Sequence, residues 1–225
     1  MTGGAALIVF AKVPEPGAVK TRLTGLLTPE EAAELYGAFL FDSLDVYRSL
    51  PVAVRLYVDA AAADLPPEFA GENVELCRQR GEGLGARMLN AFVETFVAGF
   101  ERVVIIGTDH PTLPSAFVER AFQELEEPLH IVLGPSADGG FYLMGMNDLA
   151  PTLFEGMTYS HGAVFEQTLE RAHAVAHVSI LPPWYDVDTP DALRRLIADL
   201  DATTGGAERT REVIARLRKN HPALA

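Results

Sequence analysis

Cysteine is almost missing, with Cys77 standing alone in 225 residues. One thiol excludes a disulfide framework and a multi-cysteine metal site, and inside an apolar strand pattern it reads as a small core residue. Lysine is nearly as scarce. The 18 basic residues include only three lysines, Lys12, Lys20 and Lys219, and face 31 acidic ones, for a net charge of −13. A surface of that sign excludes a general affinity for polymeric nucleic acid or anionic membranes. Long apolar runs are lacking too. The run from Ala5 to Ala11 has no basic residue before it and leads straight into Lys12 and two prolines. It falls far short of the roughly 20 apolar residues of a membrane span and lacks the basic start of a secretory signal. A soluble, cytoplasmic chain is expected. No internal repeat or low-complexity block interrupts it.

What is present is the composition of a packed chain, 48% hydrophobic and 22% charged. Its length suits one domain, which needs no staples to hold a core. Short apolar runs alternate with segments of helical period. Leu7–Phe10, Val52–Val58, Val74–Cys77, Val103–Ile106, Ile131–Leu133, Phe141–Met146 and Val178–Leu181 read as strands. Helices are expected over a segment opened by Thr28-Pro29-Glu30-Glu31, a capping box with proline at N1, and over Leu84–Phe96, Ser115–Leu125, Ala163–Ala174, Asp191–Leu200 and Glu208–Leu217. Such alternation predicts an α/β three-layer sandwich with a mostly parallel central sheet. Ligands of these sheets bind at the carboxyl ends of the strands. The division expected is one domain over residues 1–200 and a helical tail over 201–225 packed on it. Val213, Ile214 and Leu217 in the tail suit packing on their own domain or on a partner.

Four strand-following loops carry residues suited to chemistry. In Lys12 to Leu23, two prolines stiffen the backbone, Gly17 permits a turn, and Lys20 and Arg22 bracket a hydroxyl. A local basic cluster on an acidic protein suits a pyrophosphate, and the competing reading is a structural loop with solvated charges. No Walker A spacing is present. Asp109, in Gly107-Thr108-Asp109-His110-Pro111, follows the most apolar strand and can offer its carboxylate to a hard cation or simply cap the next turn. Asp138-Gly139-Gly140 presents either an acceptor-side base or an ordinary Asp-Gly turn. Asp186 and Asp188 share a face in extended backbone, and either can add a second carboxylate or, for Asp188, cap a helix.

Other patterns carry less. Gly81-Glu82-Gly83-Leu84-Gly85-Ala86 matches a dinucleotide fingerprint, but the acidic residue that should follow the next strand is missing there. His173 and His177 are four apart without the glutamate of a zinc-protease helix. Phe92, Phe96 and Phe100 form a helical stripe that reads as core.

Taken in order, Phe10-Ala11-Lys12 through Pro16-Gly17-Ala18-Val19-Lys20-Thr21-Arg22-Leu23, then Gly107-Thr108-Asp109-His110-Pro111, then Gly134 through Asp138-Gly139-Gly140-Phe141-Tyr142-Leu143, resemble a bacterial family of glycosyltransferase-A-like (GT-A-like) proteins. These are described as nucleotide-diphospho-sugar transferases, some associated with arsenosugar biosynthesis. Lys20-Thr21-Arg22-Leu23 and Asp186-Val187-Asp188-Thr189-Pro190 are also similar to 2-phospholactate guanylyltransferase and to sugar-acid cytidylyltransferases. The resemblance covers residues 5 to 200. It implies a GT-A fold, a nucleotide or nucleotide-sugar on the first loop (Ala11, Lys12, Pro16, Gly17, Lys20 and Arg22), and a divalent metal, Mg²⁺ or Mn²⁺, on Asp109 and Asp188. Gly85 and Arg87, in a stretch that aligns with the family's Leu-Gly-x-Arg-Met, are then nucleotide-side residues. Asp138 is the candidate base, with His161 second, and Gly139, Gly140, Tyr159 and His161 face a small acceptor. At Tyr159-Ser160-His161 the chain departs from the family's Trp followed by Ser or Gly and Thr. Sugar transfer is the expected chemistry, with nucleotidyl transfer and pyrophosphate release as the alternative.

Overall fold

The computed structural model describes residues 4–59, 69, 73–159 and 161–224. Seven strands form one sheet: β1 (Gly4–Ala11), β2 (Ala53–Val58), β3 (Val74–Arg78), β4 (Phe100–Ile106), β5 (His130–Pro135), β6 (Phe141–Met146) and β7 (His177–Ile180). Six helices accompany them: α1 (Pro29–Tyr47), α2 (Gly83–Val97), α3 (Ser115–Glu124), α4 (Val164–His173), α5 (Pro190–Asp201) and α6 (Glu208–Asn220). The expected strands and helices are all present, with ends shifted by a few residues at most.

The strand order is β3-β2-β1-β4-β6-β5-β7. Every neighbouring pair is parallel except those made by β6, which runs against both β4 and β5. The reason is connection length. Helix α3 returns the chain from β4 to a parallel β5, as a crossover must, whereas only Ser136–Gly140 separate β5 from β6, and so short a loop can only reverse the chain. β6 therefore fills the slot between β4 and β5. As a result the loops after β1, β2, β3, β4, β5 and β7 all open on one edge of the sheet. This is a GT-A-like α/β sandwich, mostly parallel as expected.

Alternation along the central strands builds the layers. Leu7, Val9, Val104 and Ile106 face Leu40, Leu44 and Tyr47 of α1 and Val118 and Phe122 of α3. Ile8, Val103 and Ile105 face Met88 and Phe92 of α2 and Ala172 of α4. Cys77, Phe96 and Phe100 pack half-buried against this second cluster, core residues as read from the sequence. On its other side α1 presents Leu35 and Phe39 to α5 and α6, where Leu193, Leu196, Val213, Ile214 and Leu217 are buried.

Helix ends follow their sequence signals. Thr28 Oγ1 accepts the Glu31 N–H (3.2 Å), and the Glu31 carboxylate takes the Thr28 N–H (2.9 Å), closing the capping box. Thr189 caps α5 by accepting the Ala192 N–H. α6 has no side-chain cap of its own, because Ala207 precedes it. Asp42, buried on α1, supplies one: its carboxylate accepts the N–H groups of Arg209 (3.1 Å) and Thr210 (2.8 Å). A negative group at a helix N-terminus also meets the positive end of the helix dipole. No helix among the described residues is long and apolar enough to cross a membrane.

Asp42→Ala leaves two first-turn N–H groups of α6 without an acceptor. It is expected to cost about 1–3 kcal/mol of stability by urea denaturation, with amide-exchange protection lost first in residues 208–220. A second expectation concerns acid. Burial pushes the Glu31 carboxyl up, but the Thr28 N–H and His221 more than offset this and hold its pKa below the ordinary glutamate value. That contribution is complete above the unfolded value of about 4.3 and is lost as pH falls through the lowered folded value. Glu31→Gln should therefore lower the urea midpoint more at pH 6 than at pH 3.

Candidate active site

The loop after β1 is a tight frame for one side chain. The Glu15 N–H donates to the Val13 carbonyl (2.8 Å) and the Ala18 N–H to the Glu15 carbonyl (3.1 Å). Gly17 turns the chain at φ +80°. Lys20 then takes a left-handed conformation, φ 48°, just before the 3-10 turn Thr21–Leu23. A non-glycine residue in that region costs about 1–2 kcal/mol, so surrounding contacts must hold it. Here they do. The Lys20 side chain, 2% exposed, places Nζ 2.5 Å from Asp109 Oδ1 and 2.9 Å from Asp188 Oδ1. The same ammonium lies over the rings of Tyr36 and Phe39, 5.8 and 5.5 Å from their centres.

Those two aspartates come from distant loops that are locked together. Asp109 follows β4, and its carbonyl accepts the Val187 N–H (2.8 Å), which brings residues 186–188 alongside. Asp186 accepts the Ser136 hydroxyl (2.6 Å), and its carboxylate lies 3.6 Å from the buried His110 ring. Burial raises the Asp186 pKa, but His110, Ser136 and Lys20 outweigh it and hold the carboxyl below the ordinary aspartate range. Tyr36, on α1, accepts the Lys12 N–H and shares a hydrogen bond with Thr108, both at 2.9 Å. One phenol thereby joins the β1 and β4 loops.

Lys12, Lys20, Arg22, Asp109 and Asp188 line a single cleft of about 860 Å³ over the carboxyl ends of β1, β2 and β4. Ala11, Arg87, Asp138, Gly140, Tyr159 and His161 line it as well. Pro16, Gly17, Gly85 and Gly139 do not. Pro16 and Gly17 stand exposed in the loop. A Cβ on Gly85 would fall 2.8 Å from the Tyr159 ring, and one on Gly139 2.2 Å from the Gly162 carbonyl oxygen. These two glycines shape the wall by letting other groups close in. Asp138 Oδ1 accepts the Gly140 N–H (2.9 Å), the short turn expected from its sequence.

His161 Nδ1 accepts the Ala163 N–H (3.2 Å), and its Nε2 lies 3.0 Å from Thr158 Oγ1. Both ring nitrogens therefore have protein partners within their own turn. Ser160, between Tyr159 and His161, lies outside the described residues. His173 ends α4 and His177 opens β7, so they form no helical metal pair. The fingerprint-like glycines lie after β3, an edge strand.

Tyr36, Asp59, Gln79 and Thr108 also line the cleft and were not singled out in the sequence. Asp59 follows β2 and accepts the Val13 N–H (3.2 Å). Gln79 follows β3, and its Nε2 donates to the carbonyls of Ala11 (2.9 Å) and Tyr57 (3.1 Å). Each stands one residue past a strand end, the position that the carboxyl-edge rule marks.

Comparison with known proteins follows this geometry. Residues 44–161 match a family model described as an uncharacterized protein conserved in bacteria, DUF2064. The chain belongs to this family. A solved structure from Desulfovibrio desulfuricans G20, provisionally assigned as a nucleotide-diphospho-sugar transferase, is 32% identical, with a TM-score of 0.84, covering 96% of this chain and 97% of that one. The inositol-1-phosphate CTP transferase of T. maritima is 15% identical, with a TM-score of 0.59 over 94% and 96% of the two chains. Rv0371c from Mycobacterium tuberculosis H37Rv, solved in complex with manganese, is 18% identical, with a TM-score of 0.52 over 87% and 98%. At these lower identities the likeness is one of fold. No curated protein matches the chain.

In this DUF2064 chain the charges of the cleft are paired but reachable. The side chains of Asp109 and Asp188 are 42% and 38% exposed while Lys20 is covered. Burial disfavours the charged ammonium, yet the two carboxylates overcome it and raise its pKa above the ordinary lysine value. Among the described residues no group of three or more His, Cys, Asp or Glu side chains could hold a metal ion. Two carboxylates on one centre nevertheless fit a magnesium-like ion, which commonly takes one or two protein carboxylates and completes its shell with water and substrate phosphate.

Gly17 and Gly139 offer a controlled pair, since both have positive φ but only Gly139 is crowded. Gly17→Ala should cost about 1–2 kcal/mol, the backbone term alone. Gly139→Ala should cost clearly more in urea denaturation, because Gly162 backbone must move as well.

Proposed function

We propose that this chain is a transferase that binds a nucleotide-diphospho-sugar and passes the sugar to a small acceptor, with a Mg²⁺ or Mn²⁺ ion on Asp109 and Asp188. Residues 1–200 form the transferase domain in this reading and 201–225 its helical tail. The observation that carries it is the meeting of Lys20, Asp109 and Asp188 in a cleft that Arg22, Lys12 and Arg87 also line. Cations of that kind suit two linked phosphates, Arg as a fork and Lys as a point charge. The 32% identity over nearly the whole chain to a protein assigned as a nucleotide-diphospho-sugar transferase supports the same choice.

The chemistry follows from where charge develops. An acceptor hydroxyl attacks the anomeric carbon, a new C–O bond forms, and the bond from that carbon to the diphosphate oxygen breaks. The electron pair leaves on the nucleoside diphosphate, where Lys20 and Arg22 stabilise it. The bound ion would supply further positive charge to the diphosphate. The acceptor proton passes to Asp138, a further carboxylate that lines the cleft.

One observation favours a second reading. Asp138 Oδ1 already accepts the Gly140 N–H, so that oxygen is taken up by the backbone. Nucleotidyl transfer needs no base when the attacking group is itself a phosphate or carboxylate: it would attack the α-phosphorus of a nucleoside triphosphate and release pyrophosphate.

Released product separates the two. Sugar nucleotides with acceptors should yield nucleoside diphosphate, whereas pyrophosphate from nucleoside triphosphates would establish the second reading instead. In a thermal-shift panel of sugar nucleotides, stabilisation should require Mn²⁺ and vanish in Asp109→Ala, with turnover down by about 100-fold or more. An unchanged shift in that variant would remove Asp109 from the site.

A further inference from the structure

Lys20 holds, with one ammonium, an oxygen of each carboxylate that a divalent cation would use. Its Nζ is 2.5 and 2.9 Å from the oxygens that Asp109 and Asp188 turn toward it. A magnesium-sized ion bridging the same oxygens needs contacts of about 2.0–2.1 Å. An ion on those oxygens would stand in contact with the ammonium, and two positive centres so close in a covered site repel strongly. The ammonium must move when the ion arrives, and the protein around it makes that move costly. The ammonium lies over the rings of Tyr36 and Phe39, the side chain is 2% exposed, and the backbone is held in the left-handed region at φ 48°. Leaving the carboxylates without a new anion strands a buried, unpaired charge. A diphosphate in the cleft supplies that anion.

We infer that Lys20 is a positioning residue that acts as an internal counter-ion for Asp109 and Asp188, so that a divalent cation binds tightly only together with a diphosphate. In the ligand-free protein the ammonium holds the two loops at cation-binding separation. When cation and diphosphate enter together, the carboxylates pass to the cation and the ammonium passes to phosphate oxygen. The two carboxylates are never left facing one another without a cation between them. The ordering rests on the proposed cation and diphosphate sites, and it excludes free metal ions from an enzyme without its nucleotide.

Mn²⁺ alone is the first probe, with binding to the full-length protein read by electron paramagnetic resonance. Lys20→Met keeps an apolar stem and removes the charge. It should bind Mn²⁺ alone at least about tenfold more tightly than wild type, and Mn²⁺ alone should then raise its melting temperature. Wild type should show neither effect until inorganic pyrophosphate is added. Lys20→Gln, which keeps a hydrogen-bond donor, guards against a folding defect in the methionine variant and should give the same ranking. Mn²⁺ affinity in both variants equal to or below that of wild type overturns the inference, as does a failure of all three proteins to bind the ion. If the ranking holds but no sugar nucleotide or nucleoside triphosphate stabilises wild type with Mn²⁺, the proposed function fails while the counter-ion role stands.

Discussion

A lysine ammonium with almost no contact to water survives only if opposite charge surrounds it, and Lys20 obtains both of its partners from far along the chain. Asp109 is 89 residues away and Asp188 is 168. Contacts of that span form only after the sheet has set β1, β4 and the segment after β7 side by side, so the site is a readout of the whole topology. The dependence also runs the other way. Removing Lys20 leaves the two carboxylates facing one another without a cation, so one ammonium ties the loop after β1 to the two loops that carry them.

The reversed strand makes this geometry possible. Because the Ser136–Gly140 turn forces β6 between β4 and β5, the loop entering β6 opens at the same edge as the loop after β4. Ser136 can then bond Asp186, and the Ala137 N–H reaches the Trp184 carbonyl at 2.9 Å. The wall that holds Asp138 is thus built on the segment that positions Asp188. Tyr36 does similar work between α1 and the loops on the other side. The helices that bury the apolar faces of the sheet therefore also set the loops above its edge.

Much of this was legible in the sequence, and the exceptions have physical causes. Strands buried on both faces read as continuous apolar runs, and the Thr28 capping box and the Thr189-Pro190 start announced their helices, so the element order followed. Lys20, Arg22, Asp109 and Asp188, which line one cleft, could be singled out because each stands in a loop just past a strand or opening a helix. Tyr36 was hidden, since an aromatic on the inward stripe of a helix looks like core until its hydroxyl is seen to bridge two loops. Asp42 was hidden for the same reason in reverse: nothing local shows that a carboxylate inside α1 caps α6. Gly85 and Gly139 were read as ligand contacts, although what they admit is Tyr159 and the Gly162 backbone.

The two sides of the cleft differ in how they are held, and this bears on which chemistry they can vary. The Lys20 side is fixed by long-range bonds, Lys20 to two aspartates and Tyr36 to Thr108, so a change there disturbs several loops at once. The side that carries Asp138 and His161 mixes two kinds: Asp138 to Gly140 and His161 to Thr158 and Ala163 are local, whereas Ser136 to Asp186 and the Ala137 N–H to Trp184 tie it to the segment after β7. Local turns can be rebuilt without touching the sheet. A cleft built this way can keep one face while the turns of the other vary. The cations and carboxylates of the cleft suit both chemistries, so sugar transfer and nucleotidyl transfer are separated by what the other wall presents to the attacking group.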